Sequence, residues 1–153
     1  MRLGRDWIEA HIPHKGTMCL LEEVLDWNAG SIRCRATSHR APWNPLRSRG
    51  RLGAACGIEY AAQTMAVHGS LLLGSDEVFA GKLASARGVT VSAARLDDCA
   101  GDLIATAHRI HGGDAMVLYD FTVGDGSRVL LAGRATIAFT QPFSIHRAEQ
   151  HNR

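Results

Sequence analysis

Between Leu52 and Val67 the chain carries a single charged side chain, Glu59. The run is rich in Ala, Met, Leu and Gln, which favour a helix. We expect one helix over Leu52–Gly69, with Gly69 as its left-handed stop. Small residues (Gly53, Ala54, Ala55, Gly57, Ala61, Ala62) let other backbones approach closely. A helix that is apolar nearly all round has no face to give to water, so the rest of the chain must enclose it.

The remaining segments read as strands. Cys19–Trp27 is rich in Leu and Val. Asn28-Ala29-Gly30 is turn chemistry, and Ser31–Thr37 alternates Ile32, Cys34 and Ala36 with arginines, which predicts a hairpin. After a loop near Gly74–Glu77 come Phe79–Leu96, Leu103–Ile110, Met116–Val123 and Val129–Phe139. Glycine turns at Gly112-Gly113 and Gly124-Asp125-Gly126 separate the later strands. A short helix over Arg5–Ala10 precedes them, stopped before Pro13. Strand, strand, enclosed helix, then antiparallel strands is an α+β order, the hotdog arrangement: one antiparallel sheet wrapped around one central helix. At 153 residues the chain suits one domain, expected over residues 5–143, with a polar tail over 144–153. Such a sheet leaves a free edge that a second subunit can hide.

Composition narrows the function. The net charge of +2 is too small for bulk nucleic-acid binding. No apolar run reaches the 18 or so residues of a membrane span, and the N-terminus shows no signal-peptide core. Cys19, Cys34, Cys56 and Cys99 form no CxxC pair, so neither a disulfide framework nor a zinc site is expected. Reduced thiols and a cytoplasmic location are the simpler reading. No phosphate loop, nucleophile elbow or H-E-x-x-H is present.

Glu59 must be paired, protonated or functional, because a carboxylate buried alone costs several kcal/mol, roughly. Gln63 lies one turn on and can hydrogen-bond it. A buried carboxylate can serve as a catalytic acid or base; it can also be a structural ion pair. Among eight histidines, His39 opens the loop leading into the helix and is the first choice to join Glu59. His11 and His14 flank Pro13. His108 and His111 on an outer strand, and His146 and His151 in the tail, read as surface. His68 near the helix end can complement the dipole. The loop 39–51 also carries Arg40, Arg47, Arg49 and Arg51, either a solvated loop or a docking patch for an acidic partner.

Three stretches together resemble the hotdog-fold 3-hydroxyacyl-[acyl-carrier-protein] dehydratases. Ile12-Pro13-His14-Lys15-Gly16, with Leu20-Leu21, is similar to their opening motif. His39-Arg40-Ala41-Pro42-Trp43-Asn44-Pro45 is similar to a degraded form of their histidine loop. Gly57-Ile58-Glu59-Tyr60-Ala61-Ala62-Gln63 resembles their catalytic helix, in particular that of the divergent branch from aryl polyene clusters. The resemblance implies that His39 and Glu59, from opposite subunits, act as base and acid, with His14 as the second choice of base. It also implies that a backbone N–H near Gly57 polarises the thioester carbonyl and that Gln63 orients Glu59. No metal or cofactor is implied. Arg47, Arg49 and Arg51 are expected to meet an acidic acyl carrier protein bearing the pantetheine-linked substrate. Leu46–Arg51 lengthens the histidine loop relative to standard members.

The leading expectation is dehydration of a 3-hydroxyacyl thioester to a trans-2-enoyl thioester in fatty acid or polyketide synthesis, by a homodimer or a hetero-oligomer with another hotdog protein. A non-catalytic partner subunit that binds acyl carrier protein and an acyl thioesterase are the alternatives. An intact His39–Glu59 pair favours dehydration, a lone helix carboxylate favours hydrolysis, and a closed tunnel with no histidine near Glu59 favours the partner subunit.

Overall fold

The structure, a computed structural model, describes residues 3–74 and 81–139. The tail 144–153, with His146 and His151, lies outside the described residues, as do Phe79 and the loop around Glu77. Helix α1 (Arg5–His11) leads to strands β1 (Glu23–Asn28) and β2 (Ser31–Ala36). The long helix α2 (Gly57–Leu73) follows, then β3 (Gly81–Val91), β4 (Leu103–Gly112), β5 (Met116–Gly124) and β6 (Val129–Phe139). The strands form one antiparallel sheet in the order β1-β2-β4-β5-β6-β3. This is the expected hotdog: a six-stranded sheet curled around one helix.

Strand periodicity explains the wrap. In β5 the inward residues Val117, Tyr119, Phe121 and Val123 are buried, and their neighbours face out. Ile32, Cys34 and Ala36 do the same in β2, and Leu103, Ala105 and Ala107 in β4. These side chains close on Tyr60, Ala61, Met65 and Val67 of α2. Gly57 sits where helix and sheet come closest: a Cβ there would lie 2.7 Å from Leu131 Cδ2.

The helix differs from expectation at both ends. Residues Ala54–Cys56 form a 3-10 turn, so the α-helix begins at Gly57. It runs through Gly69, which is buried inside it, and stops at Gly74, whose φ of 67° is left-handed. Ile58, Glu59 and Ala62 are only half-buried, so one narrow stripe of α2 is left for the site. The strand expected over Phe79–Leu96 is regular only to Val91.

The long loop is locked to the chain that follows β3. Leu96 N–H donates to Leu52 O at 2.8 Å, and Ala54 N–H to Ala94 O at 3.2 Å. The buried Asp97 carboxylate accepts from Leu52 N–H at 3.0 Å and from Arg95, and Arg47 stands 3.5 Å from it. Arginine beside it and the Leu52 N–H hold Asp97 well below the usual carboxylate range.

Candidate active site

The histidine that reaches Glu59 is His14, whose Nε2 lies 3.0 Å from Glu59 Oε1. The path of the chain makes the contact. Helix α1 ends at His11, the buried Ile12 anchors the extended exit, and Pro13 stiffens the next step. Lys15 caps carbonyls of Ile12 and Glu9, and Gly16 N–H donates to Glu9 Oε1 at 3.0 Å. Farther on, Leu20 N–H donates to Gln63 Oε1 at 2.9 Å, while Gln63 Nε2 donates to Met18 O at 2.8 Å. Gln63 therefore straps residues 18–20 across α2, and His14 is carried over the first turns of the helix. Gln63 Nε2 is also 3.4 Å from Glu59 Oε1.

The hydrogen bond with His14 pulls the Glu59 carboxyl below its ordinary value, against the opposing effect of burial. Glu59 thus rests ionised. Its side chain keeps 33% of its exposure and that of His14 keeps 26%. His14 Nδ1 is buried without a hydrogen-bond partner, so the carboxylate and the Nε2 edge are the reachable part of the pair. Both residues line a hollow of about 220 Å³ with Pro13, Ala62, Ala66, Leu83 and Ile137. Apart from the pair and Lys82, which also lines it, the walls are apolar, which suits an acyl chain presented to a proton-handling carboxylate.

His39 is placed differently from the sequence expectation. Its ring is fully buried, and Nε2 lies 2.9 Å from Gly101 O and 3.1 Å from Cys99 O. Carbonyls only accept, so Nε2 carries the hydrogen. Burial lowers its pKa and keeps the ring neutral. In the single chain its surface is fully covered. Inside this chain His39 ties the loop to the segment after β3, and Glu59 meets His14 and Gln63.

Gly57 also takes another part. Its N–H is bonded back to Ala54 O within the 3-10 turn, so it is not free to polarise a thioester; what the position needs is closeness to Leu131. Arg47 turns inward, donating to Ala41 O at 2.9 Å and Gly50 O at 3.2 Å. Arg40 is held by Ala100 O and Asp102. Arg49 and Arg51 remain exposed on a tight hairpin whose arms pair Ser48 with Arg51. Arg49 itself has a φ of 53°, a conformation that costs a branched-chain or long residue about 1 kcal/mol or more.

Several groups escaped the sequence reading. Asn44, Ser38 and Tyr60 form a buried hydrogen-bonded cluster under the loop. His68, expected at the helix dipole, is buried between Tyr119 Oη and Asn28 O, each at 2.7 Å. His108 and His111 are exposed, as expected. The four cysteines are free thiols, and no cluster of metal-binding side chains occurs among the described residues. No described helix is long and apolar enough to cross a membrane.

Fold and site together define a hotdog protein whose central helix carries a carboxylate paired with a histidine from the segment after α1. The chain belongs to the ApeP-like family, described as ApeP dehydratase, which matches residues 7–149. A solved structure of the dehydratase heterocomplex ApeI:P from Xenorhabdus doucetiae is similar with a TM-score of 0.77 and 21% identity, covering 95% of this chain and 97% of that one. A mutant of the thioesterase SAV0944 from Staphylococcus aureus is similar at a TM-score of 0.56 and 17% identity, over 78% of this chain and 92% of that one. So is a hypothetical thioesterase with coenzyme A from Streptococcus pneumoniae, at 0.54 and 15%, over 80% and 88%. At these identities the likeness is one of fold. No curated protein matches the chain.

Proposed function

We propose that the chain dehydrates a 3-hydroxyacyl thioester carried on an acyl carrier protein, giving the trans-2-enoyl thioester, and that Glu59 handles the proton. The observation that carries this is the His14–Glu59 pair at the wall of a mostly apolar hollow that Lys82 also lines. Because Glu59 rests ionised, it must accept a proton before it can donate one. It takes the proton from C2 of the substrate as the C2–H bond breaks. It then returns that proton to the β-hydroxyl as the C3–O bond breaks, water leaves and the C2–C3 double bond forms. His14 Nε2 steadies the carboxylate, and Gln63 fixes its rotamer. This gives Glu59 both the acid role implied by the resemblance and the base role assigned there to His39.

The carrier protein meets the exposed Arg49 and Arg51, with Arg47 shaping the hairpin from within. Strands β1 and β3 end the sheet; the chain's own Gly4 bridges to Glu23 of β1, and we place a second subunit of like shape on the β3 edge. The reaction runs in fatty acid or polyketide synthesis of the aryl polyene type, in the cytoplasm.

A second reading is a partner subunit that supports catalysis elsewhere. It draws on the similar structure from Xenorhabdus doucetiae being a heterocomplex and on the burial of His39. The test follows 2-enoyl formation from a 3-hydroxyacyl carrier thioester, with the chain alone and mixed with a second hotdog dehydratase. Glu59→Gln should lower the rate by about 10²–10⁴-fold while leaving the fold intact. An unchanged rate of the mixed complex carrying Glu59→Gln would leave only the partner-subunit reading.

A further inference from the structure

Strand β3 ends the sheet with eleven residues, Gly81–Val91, and one side of its backbone unpaired. Natural edges are commonly short or blunted. This one is long, and it exposes Leu83 and Val91 at 39% and 52%, which marks it for pairing. Its charged residues are Lys82 and Arg87, both exposed. Its neighbour β6 carries Arg134 alone. The two outer strands therefore hold three cations and no carboxylate. Arg87 stands directly opposite Arg134 in the register. Arg134 is neutralised by Asp120 of β5 at 2.9 Å, but Arg87 has no carboxylate partner among the described residues.

Two copies of β3 paired about a two-fold axis would bring this charge onto itself. With the axis at Ala86, the middle of the strand, Arg87 faces Ser85 of the second copy. The two Arg87 side chains are then diagonal neighbours on the outer face, about 7–8 Å apart. With the axis at Arg87 they stand opposite each other. Like charges so placed oppose pairing.

We propose that the β3 edge selects against a second copy of this chain and for a like-shaped subunit whose edge strand presents a carboxylate to Arg87. The inference rests on the edge pairing given above as part of the proposed function, and it names what decides the partner.

The chain can serve as its own probe. Sedimentation velocity of the wild type at about 0.01 M and about 1 M salt compares unscreened with screened charge. Self-association should tighten as salt rises, and Arg87→Ala should tighten it at low salt by roughly fivefold. Mixing wild type with Arg87→Glu at low salt should give mixed dimers above the half expected from random pairing. Random mixing, together with salt-independent self-association, would overturn the charge selection and leave edge pairing standing. Monomers under every condition, including the mixture at high salt, would overturn both. None of these readings depends on catalytic activity.

Discussion

Gln63 sits one helical turn beyond Glu59, and its amide nitrogen bridges Glu59 Oε1 at 3.4 Å and Met18 O at 2.8 Å. One buried side chain thus sets both the carboxylate and the strand of chain that brings His14 to it. Gln63→Leu removes the acceptor for Leu20 N–H and the donor for Met18 O. Leaving such buried groups unsatisfied costs about 1–3 kcal/mol each. Urea unfolding should show a loss of this order, and the turnover of the remaining folded protein should fall with it.

The His14 contact fixes the direction of the Glu59 shift, so its removal has a definite sign. In His14→Ala the lowering effect is lost while burial still raises the carboxyl pKa. The acid limb of the pH–rate profile should move to higher pH, because protonated Glu59 cannot take the substrate proton. Stability follows the same logic. The lowered carboxyl stabilises the fold above the ordinary value of 4.5 and loses that contribution as pH falls through the folded value. An acid limb at the wild-type position in His14→Ala would remove His14 from the mechanism.

His39→Leu separates a structural histidine from a catalytic one. Two carbonyls, of Cys99 and Gly101, lose their donor. The melting temperature should drop by an amount matching about 1–3 kcal/mol. The turnover number per folded molecule should stay within a few-fold of wild type, far from the roughly 10²–10⁴-fold loss of a general base. A loss of that larger size at unchanged stability would return His39 to the chemistry.

Buried histidines also set an acid limit for the fold. Burial lowers the pKa of both His39 and His68 from the ordinary 6.5. The unfolded chain then binds protons that the folded chain refuses. Stability is complete above 6.5 and declines as pH falls from there toward the folded values. Thermal melts between about pH 7.5 and 5.5 should show this, and His68→Gln should flatten the slope. A flat wild-type profile over that window would contradict it.

Gly57→Ala tests the close approach of helix and sheet. The added Cβ would meet Leu131 Cδ2 at 2.7 Å and have Val123 Cβ at 3.7 Å. Overpacking of this kind costs about 1–3 kcal/mol, read as a fall in the urea midpoint. Because the Gly57 N–H is already bonded to Ala54, little further effect on rate is expected.

The enclosed helix and most strands were legible because burial and alternation are written in side chains. Val129–Phe139 was placed to the residue. Gly69 reads as a stop by its residue type alone, but its lack of a side chain serves burial inside the helix, and the left-handed residue is Gly74. Glu59 was legible as the one charge in an apolar run. Its partner was not, because His14 and His39 lie in loops of similar composition. The groups that hold His39 are backbone carbonyls some sixty positions away, and carbonyls leave no mark on a sequence. The inward turn of Arg47 is hidden for a related reason: Asp97, which it approaches to 3.5 Å, lies fifty positions on.

The bonds joining Leu52 to Leu96 and Ala54 to Ala94 make the segment just after β3 and the root of α2 one piece of backbone. A subunit that grips the sheet edge therefore also grips the footing of the helix that carries Glu59. Five positions of backbone separate this junction, at Ala54, from Glu59, so the carboxylate is rooted next to the edge without any side chain between.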